Sequence, residues 1–237
     1  MKSLYSLNEN LQIKSFTVGN EQKKIIVIDD LLQQPQTMVD IAAQSIFNPY
    51  PGYENKKGYP GIRAPAPQDY SYNITTFLEP IIKRELQIPA HLNIRKSPCS
   101  FSLLTMQPET LGPLQRTPHF DSSNPHHIAV LLYLCDEHHG GTAFYRHVAT
   151  GLDQITATTR EQYLDVCYDE LNTKRPKADY IKDSTELYTK IGSVQAKFNR
   201  LVIYKGSILH APFIESNISV DSHPRTGRLT VNTFYDF

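Results

Sequence analysis

Three runs of β-branched and aromatic residues in the second half of the chain most constrain its fold. They are HIAVLLYLC (His127 to Cys135), RLVIYKG (Arg200 to Gly206) and RLTVNTFYDF (Arg228 to Phe237). Each has the length and composition of a strand, and turn-forming clusters separate them. Short strands that follow one another without intervening helices favour an antiparallel sandwich or jelly roll over a parallel sheet. One stretch breaks the pattern. Thr158 and Glu161 have capping-box spacing, and Tyr163, Leu164, Cys167 and Leu171 then follow a helical stripe. Residues 151–192 therefore read as an inserted, partly helical excursion.

The first half has a different texture. KIIVIDD (Lys24 to Asp30) reads as a buried strand ended by acidic turn formers. Met38, Ile41, Ala42 and Ile46 recur at helical spacing after Pro35, a favourable helix start. A second helical pattern runs through Ile74, Phe77, Leu78, Ile81 and Ile82, while the Pro- and Gly-rich segment 48–68 is expected to be irregular. The whole chain of 237 residues fits a single domain, with strand and helix support over 1–97 and a β core over 98–237.

Composition narrows the partners. Apolar residues make up 40% and charged residues 20%, which is globular rather than disordered. A formal net charge of +0 gives no electrostatic reason to expect nucleic acid or an anionic membrane. No run is apolar and long enough for a membrane span, and MKSLYSLNENLQIKSF lacks the apolar stretch of a secretion signal. Cys99, Cys135 and Cys167 form no CxxC pair and read as buried thiols of a reducing compartment, hence a cytoplasmic location.

Chemistry concentrates in TPHFDSS. On a strand, residues i and i+2 share a face, so His119 and Asp121 can reach one ion while Phe120 packs behind them. Among nine histidines an H-x-D spacing alone is a weak signal. His210 is set apart because it follows a strand whose Gly206 and Ser207 suggest a turn presenting the side chain at a sheet edge. Two histidines and one carboxylate occupy one face of an iron octahedron and leave the other open, as non-haem Fe(II) oxygenases require. The same set also binds zinc, although no H-E-x-x-H motif accompanies it. His126, His127, His138, His139 and His147 lie nearer in sequence, but adjacent loop histidines are more often solvated than ligating. His91 and His223 read as surface residues.

Residues 119–145 and 198–234 resemble the 2-oxoglutarate- and Fe(II)-dependent dioxygenases, most closely the prolyl-hydroxylase-like branch. HIAVLLYLCDEHHGGTAFY is similar to that branch's strand–turn–GG-x-x-F/Y pattern, KFNRLVIYKGSILHAP to its strand leading to the distal histidine, and RLTVNTFYDF to its last core strand. KIIVIDDLL resembles its opening strand. The resemblance implies a mainly β fold with flanking helices around a double-stranded β-helix (jelly-roll, cupin-like) core. It implies His119, Asp121 and His210 as iron ligands, with 2-oxoglutarate and O2 as co-substrates, and Tyr133 against the distal carboxylate of 2-oxoglutarate. Tyr133 also reads as a core tyrosine.

A dicarboxylate needs a cation that does not deprotonate, and the guanidinium fork matches a carboxylate bidentately. Arg228 opens the last strand and shares its parity with Thr230, so this pair is preferred for the grip. Arg225, nearer His210 but in the turn-like HPRTG, is the competitor.

The implied reaction converts 2-oxoglutarate to succinate and CO2 while hydroxylating an unactivated C–H bond of an amino acid, a peptide or protein side chain, or a small metabolite. Because Asp121 is present, hydroxylation is preferred over halogenation. Tyr50, Tyr53, Tyr59 and Arg63 make a candidate substrate-facing loop, with an irregular surface connection as the alternative. The 151–192 connection, longer than in the relatives, suits a lid, a recognition surface or an oligomer contact; the oligomeric state is open. A cupin-like metal-binding or sensing protein without turnover is the alternative function.

Overall fold

In the computed structural model, which describes residues 4–51, 58–214 and 220–237, antiparallel strands dominate and helices flank them. In chain order the strands are β1 (Gln12–Val18), β2 (Lys23–Asp29), β3 (Asn48–Pro49), β4 (Gly61–Pro65), β5 (Cys99–Leu104), β6 (His127–Tyr133), β7 (Gly141–His147), β8 (Tyr188–Gln195), β9 (Arg200–Lys205), β10 (His210–Phe213) and β11 (Leu229–Asp236). The helices are α1 (Pro35–Gln44), α2 (Gln68–Glu85) and α3 (Arg160–Lys174).

The larger sheet runs β1-β2-β9-β6-β11-β5-β4-β3 and the smaller β10-β7-β8. A single antiparallel bridge between His119 and His210 extends the smaller sheet on its β10 side. Four neighbouring strands of the large sheet, β9-β6-β11-β5, thus face the array 119-β10-β7-β8. This is the two-sheet arrangement of a jelly roll, a double-stranded β-helix.

Both faces of the large sheet's central strands are buried, which is why those strands read as continuous apolar runs. Ile26, Ile128, Val130, Leu132 and Ile203 point outward against Met38 of α1 and Ile74, Leu78 and Ile82 of α2. Val27, Leu131, Val202 and Tyr204 point inward toward Phe144 of β7 and Val194 of β8. Removing a Leu- or Ile-sized side chain from water contributes about 2 kcal/mol, so these two layers fix the sheet's register. Polar residues of the inward face, among them His127 of β6, Arg63 of β4 and Thr230 and Asn232 of β11, line the cavity.

Several local expectations are corrected. Segment 48–68 is not wholly irregular: β3 and β4 pair within it, and β4 pairs with β5. The stripe of α1 ends before Ile46, which is 82% exposed. The first cap of α3 is Thr159 rather than Thr158, and it makes no side-chain capping bond. Its hydroxyl is instead within hydrogen-bond reach of the Thr156 hydroxyl (3.1 Å). His119 and Asp121 lie on extended chain with one bridge, not on a regular strand. The 151–192 stretch holds α3, and its last residues already belong to β8. No helix among the described residues is long and apolar enough to cross a membrane.

Candidate metal centre

His119 and His210 come together through backbone pairing. Each donates its N–H to the other's carbonyl, at 2.9 and 2.8 Å, so the single bridge brings both imidazoles to one place. Asp121 is fastened two residues on, its N–H donating to the carbonyl of Gly206 (2.7 Å). Gly206 belongs to the turn between β9 and β10 that the sequence pointed to, and that turn delivers His210. One potential ligand atom from each of the three side chains lies within 4.8 Å of the others. Nε2 of His119 is 3.8 Å from Asp121 Oδ1, and Nε2 of His210 is 3.6 Å from Asp121 Oδ2.

This donor set fits a divalent transition-metal ion. Ligands about 2.1 Å from an ion and at right angles are about 3 Å apart, so the two measured separations need only a small contraction. His210 donates from Nδ1 to the carbonyl of Ile208 (2.8 Å), the outer-shell bond that fixes a ligating tautomer and leaves the Nε2 lone pair free. Tyr204 packs edge-on against the His210 ring at 4.8 Å.

Electrostatics agree with the same role. Desolvation pushes His210 down to about 4, with the neighbouring His127 acting in the same sense. His119 keeps half its side-chain surface open to the cavity, yet its ring is also pushed down to about 4, by desolvation first and then by His210 and Arg63. Both imidazoles are therefore neutral at neutral pH, the form that binds metal. Burial raises Asp121 above the ordinary carboxylate value, opposed by His119, His127 and Arg63. A bound cation would relieve that cost.

The three side chains open into a cavity of about 540 Å³ between the sheets. Thr230, Asn232 and Phe234 of β11 line it at successive inward positions, and Arg228 lies just before that strand. Arg228 is 5% exposed. Its Nε donates to the carbonyl of His139 (3.2 Å) and its Nη2 to that of Gly141 (2.8 Å). Three of its five N–H groups are left for a ligand. Thr230 donates to Asn232 Oδ1 (2.7 Å). Tyr133 is fully buried behind this layer, its hydroxyl 2.5 Å from the hydroxyl of Thr142 and its ring 5.8 Å from the Arg228 guanidinium. Thr142, rather than Tyr133, reaches the cavity wall.

Arg225 sits elsewhere, half exposed and paired with Asp40 at 2.6 Å. His147 is fully buried with both ring nitrogens engaged, by Thr150 (2.9 Å) and Glu170 (2.7 Å). His139 is likewise engaged, by Asp136 and the carbonyl of Thr226, each at 2.9 Å. His127 departs from the solvated reading. It opens β6, lines the cavity, bonds Asp236 through Nδ1 (2.7 Å) and has a buried Nε2 without a partner. Strand parity held the signal, since His127 shares the inward face of β6 with Leu131 and Tyr133. Tyr50, Tyr59 and Arg63 of the proposed substrate-facing loop line the cavity, whereas Tyr53 lies outside the described residues.

The fold and the site define a jelly-roll protein with a two-histidine, one-carboxylate cluster at the mouth of an internal cavity. The chain belongs to a family of unknown function, DUF6445, whose profile matches residues 9–235. No curated protein matches it. Among solved structures it is similar to HygX from Streptomyces hygroscopicus with nickel, 2-oxoglutarate and hygromycin B bound, at TM-score 0.48 and 10% identity over 91% of this chain and 83% of that one. It is also similar to the non-heme alpha ketoglutarate dependent carbocyclase SnoK from nogalamycin biosynthesis, at TM-score 0.43 and 13% identity over 91% and 80% of the two chains. A third is an N-substituted L-amino acid dioxygenase from Burkholderia ambifaria AMMD, at TM-score 0.40 and 10% identity over 96% and 94%.

Proposed function

We propose that this protein is a 2-oxoglutarate- and Fe(II)-dependent dioxygenase that hydroxylates an unactivated C–H bond. The supporting observation is that the His119–Asp121–His210 cluster and the buried guanidinium of Arg228 open into one cavity. A protein that merely holds a metal has no use for a second, buried cation aimed at a dicarboxylate.

In this reading His119, Asp121 and His210 hold Fe(II) on one face. His210 is oriented by Ile208, and Asp121 by the backbone of Gly206. Arg228 grips the distal carboxylate of 2-oxoglutarate with its free N–H groups, aided by the Thr142 hydroxyl and by Thr230 once its hydroxyl turns from Asn232, and Tyr133 steadies Thr142 from behind. The apolar inner face of the large sheet keeps water from the reacting end. Iron and O2 supply the oxidising power, converting 2-oxoglutarate to succinate and CO2 and placing one oxygen atom on the substrate as hydroxyl.

The substrate is an amino acid, a peptide or protein side chain, or a small metabolite, and the nearest branch is the prolyl-hydroxylase-like one. The whole chain forms one catalytic domain. Helix α3, which lends Tyr163, Leu164, Cys167 and Tyr168 to the cavity wall, serves as its recognition element. The three free thiols suit a cytoplasmic setting. Succinate release from 2-oxoglutarate in the presence of Fe(II) tests the reading. A protein that binds iron yet releases no succinate, with or without candidate substrates, would be a metal-holding or sensing protein instead.

A further inference from the structure

The mechanism above leaves one cavity cation unused. Arg63 lies on β4, in register with Ser102 of β5, which pairs in turn with Thr230 of β11. Its side chain is therefore on the inward row of the large sheet, on the cavity's β4 side. The guanidinium carbon lies 4.5 Å from the ring centre of Tyr50, 4.8 Å from that of Tyr59 and 6.0 Å from that of Phe234. Three aromatic rings thus surround the guanidinium without accepting a conventional hydrogen bond from it.

Arg63 Nε is buried without a hydrogen-bond partner, and so is the hydroxyl of Tyr59 beside it. Among the described residues Arg63 makes no ion pair; Asp236, the other carboxylate lining the cavity, is bonded to His127. A buried donor with no acceptor is costly and is rare unless something arrives to satisfy it. Arg63 lines the same cavity as His119, Asp121 and His210, so its ligand would share that space with the metal cluster. Leu164 and Tyr168 of α3, together with Leu114, add apolar surface to the same cavity.

We infer that Arg63 and Tyr59 form a second anion anchor that binds the carboxylate of the substrate, an organic acid whose apolar body lies along α3. A guanidinium presents two parallel N–H groups to the two oxygens of a carboxylate, and Tyr59 adds a third donor. The anchor rests on the dioxygenase reading only for which bond reacts; binding the carboxylate needs no metal.

The test is a titration of protein loaded with Co(II) and 2-oxoglutarate, using matched pairs of acid and carboxamide: benzoate, 3-phenylpropionate and 4-phenylbutyrate, each against its amide. At least one acid is expected to bind about tenfold more tightly than its amide, the worth of one charge-assisted contact. In Arg63→Gln that preference is expected to fall below about twofold, while 2-oxoglutarate affinity stays within about twofold of wild type. Arg63→Lys should restore part of it, and Tyr59→Phe, which keeps the ring packing, should weaken it less. Three results would overturn the inference: no acid preferred over its amide, a preference surviving Arg63→Gln, or a loss of 2-oxoglutarate affinity in Arg63→Gln as large as in Arg228→Gln. Repeating the titration without metal separates the two readings. An acid preference that depends on Arg63 in a protein releasing no succinate would keep the anchor and remove the dioxygenase.

Discussion

Replacing Gly206 by alanine is expected to weaken metal binding without touching a ligand. A Cβ at this position would lie 2.5 Å from Cδ2 of His127, 3.1 Å from Oδ2 of Asp121 and 3.2 Å from its Cβ. Carbon atoms in contact rest at about 3.5–4.0 Å, so a neighbour must retreat by about 1 Å. His127 has little freedom, because Asp236 holds its Nδ1 and its ring stacks on Phe234 at 5.6 Å. The backbone is pinned as well: the N–H of Gly206 donates to the carbonyl of His127 (2.8 Å), and its own carbonyl accepts from Asp121. Most of the strain therefore falls on His127 and the turn itself, and Asp121, fastened to that turn by its N–H, is pushed aside by a few tenths of an ångström. Overpacking of this kind costs about 1–3 kcal/mol, a fall of up to about 10 °C in Tm. Disturbing a ligand's support typically costs about 10- to 100-fold in metal affinity. Calorimetric titration with Co(II), with differential scanning calorimetry of the metal-free protein, measures both. Co(II) affinity within about twofold of wild type would refute the inference that Gly206 positions Asp121.

Three further outcomes are expected. Asp121→Ala should abolish succinate formation while Tm changes by only a few degrees; retained succinate release would remove Asp121 from the centre. Arg228→Ala should weaken 2-oxoglutarate binding by about 100-fold or more with metal affinity nearly kept, whereas Arg225→Ala, which breaks an exposed pair with Asp40, should leave it unchanged; the reverse pattern in calorimetry would exchange their roles. Asp29, on β2, accepts both Nε (2.6 Å) and Nη2 (3.0 Å) of Arg200, and that bond holds its carboxyl below the usual value. The unfolded chain thus takes up this proton first as pH falls, so the pair's contribution is present at neutral pH and is lost below about pH 3.8. Asp29→Asn should cost about 3 kcal/mol at pH 7 and flatten that acid loss, which urea midpoints at pH 7 and pH 3 would measure.

The parts of the fold legible in the sequence are those where both faces of a strand, or one stripe of a helix, are buried. β2, β6, β9 and β11 are runs of β-branched residues because both faces meet apolar layers, and α2 shows its stripe through Ile74, Leu78 and Ile82 despite Pro80 within it. β4 escaped notice because GIRAP carries a glycine and a proline and pairs only through a long-range neighbour, β5. β1 is exposed along nearly its whole length, so QIKSFTV lacks the alternation that announces a strand. At the site, spacing and turn chemistry marked His119, Asp121 and His210 as candidates, the family resemblance joined them, and the structure brings them together. Strand parity is the sequence ground for preferring Arg228 to Arg225; in the structure Arg228 lines the cavity, whereas Arg225 pairs with Asp40. The partnerless nitrogen of His127 and the approach of Phe234 to Arg63 were not readable, since each depends on strands brought together by sheet order, whereas Tyr50, Tyr59 and Arg63 stand close together in the sequence.

The most direct measurement is an anaerobic titration of the Fe(II)-loaded protein with 2-oxoglutarate, following the visible charge-transfer absorption that a 2-oxo acid gives when it chelates Fe(II) through two oxygens. Wild type is expected to develop that absorption with equimolar saturation, Arg228→Ala to need far more 2-oxoglutarate, and Asp121→Ala to develop none. A wild-type protein that holds Fe(II) but never develops it, or an Asp121→Ala protein that develops it undiminished, would contradict a centre built from His119, Asp121 and His210.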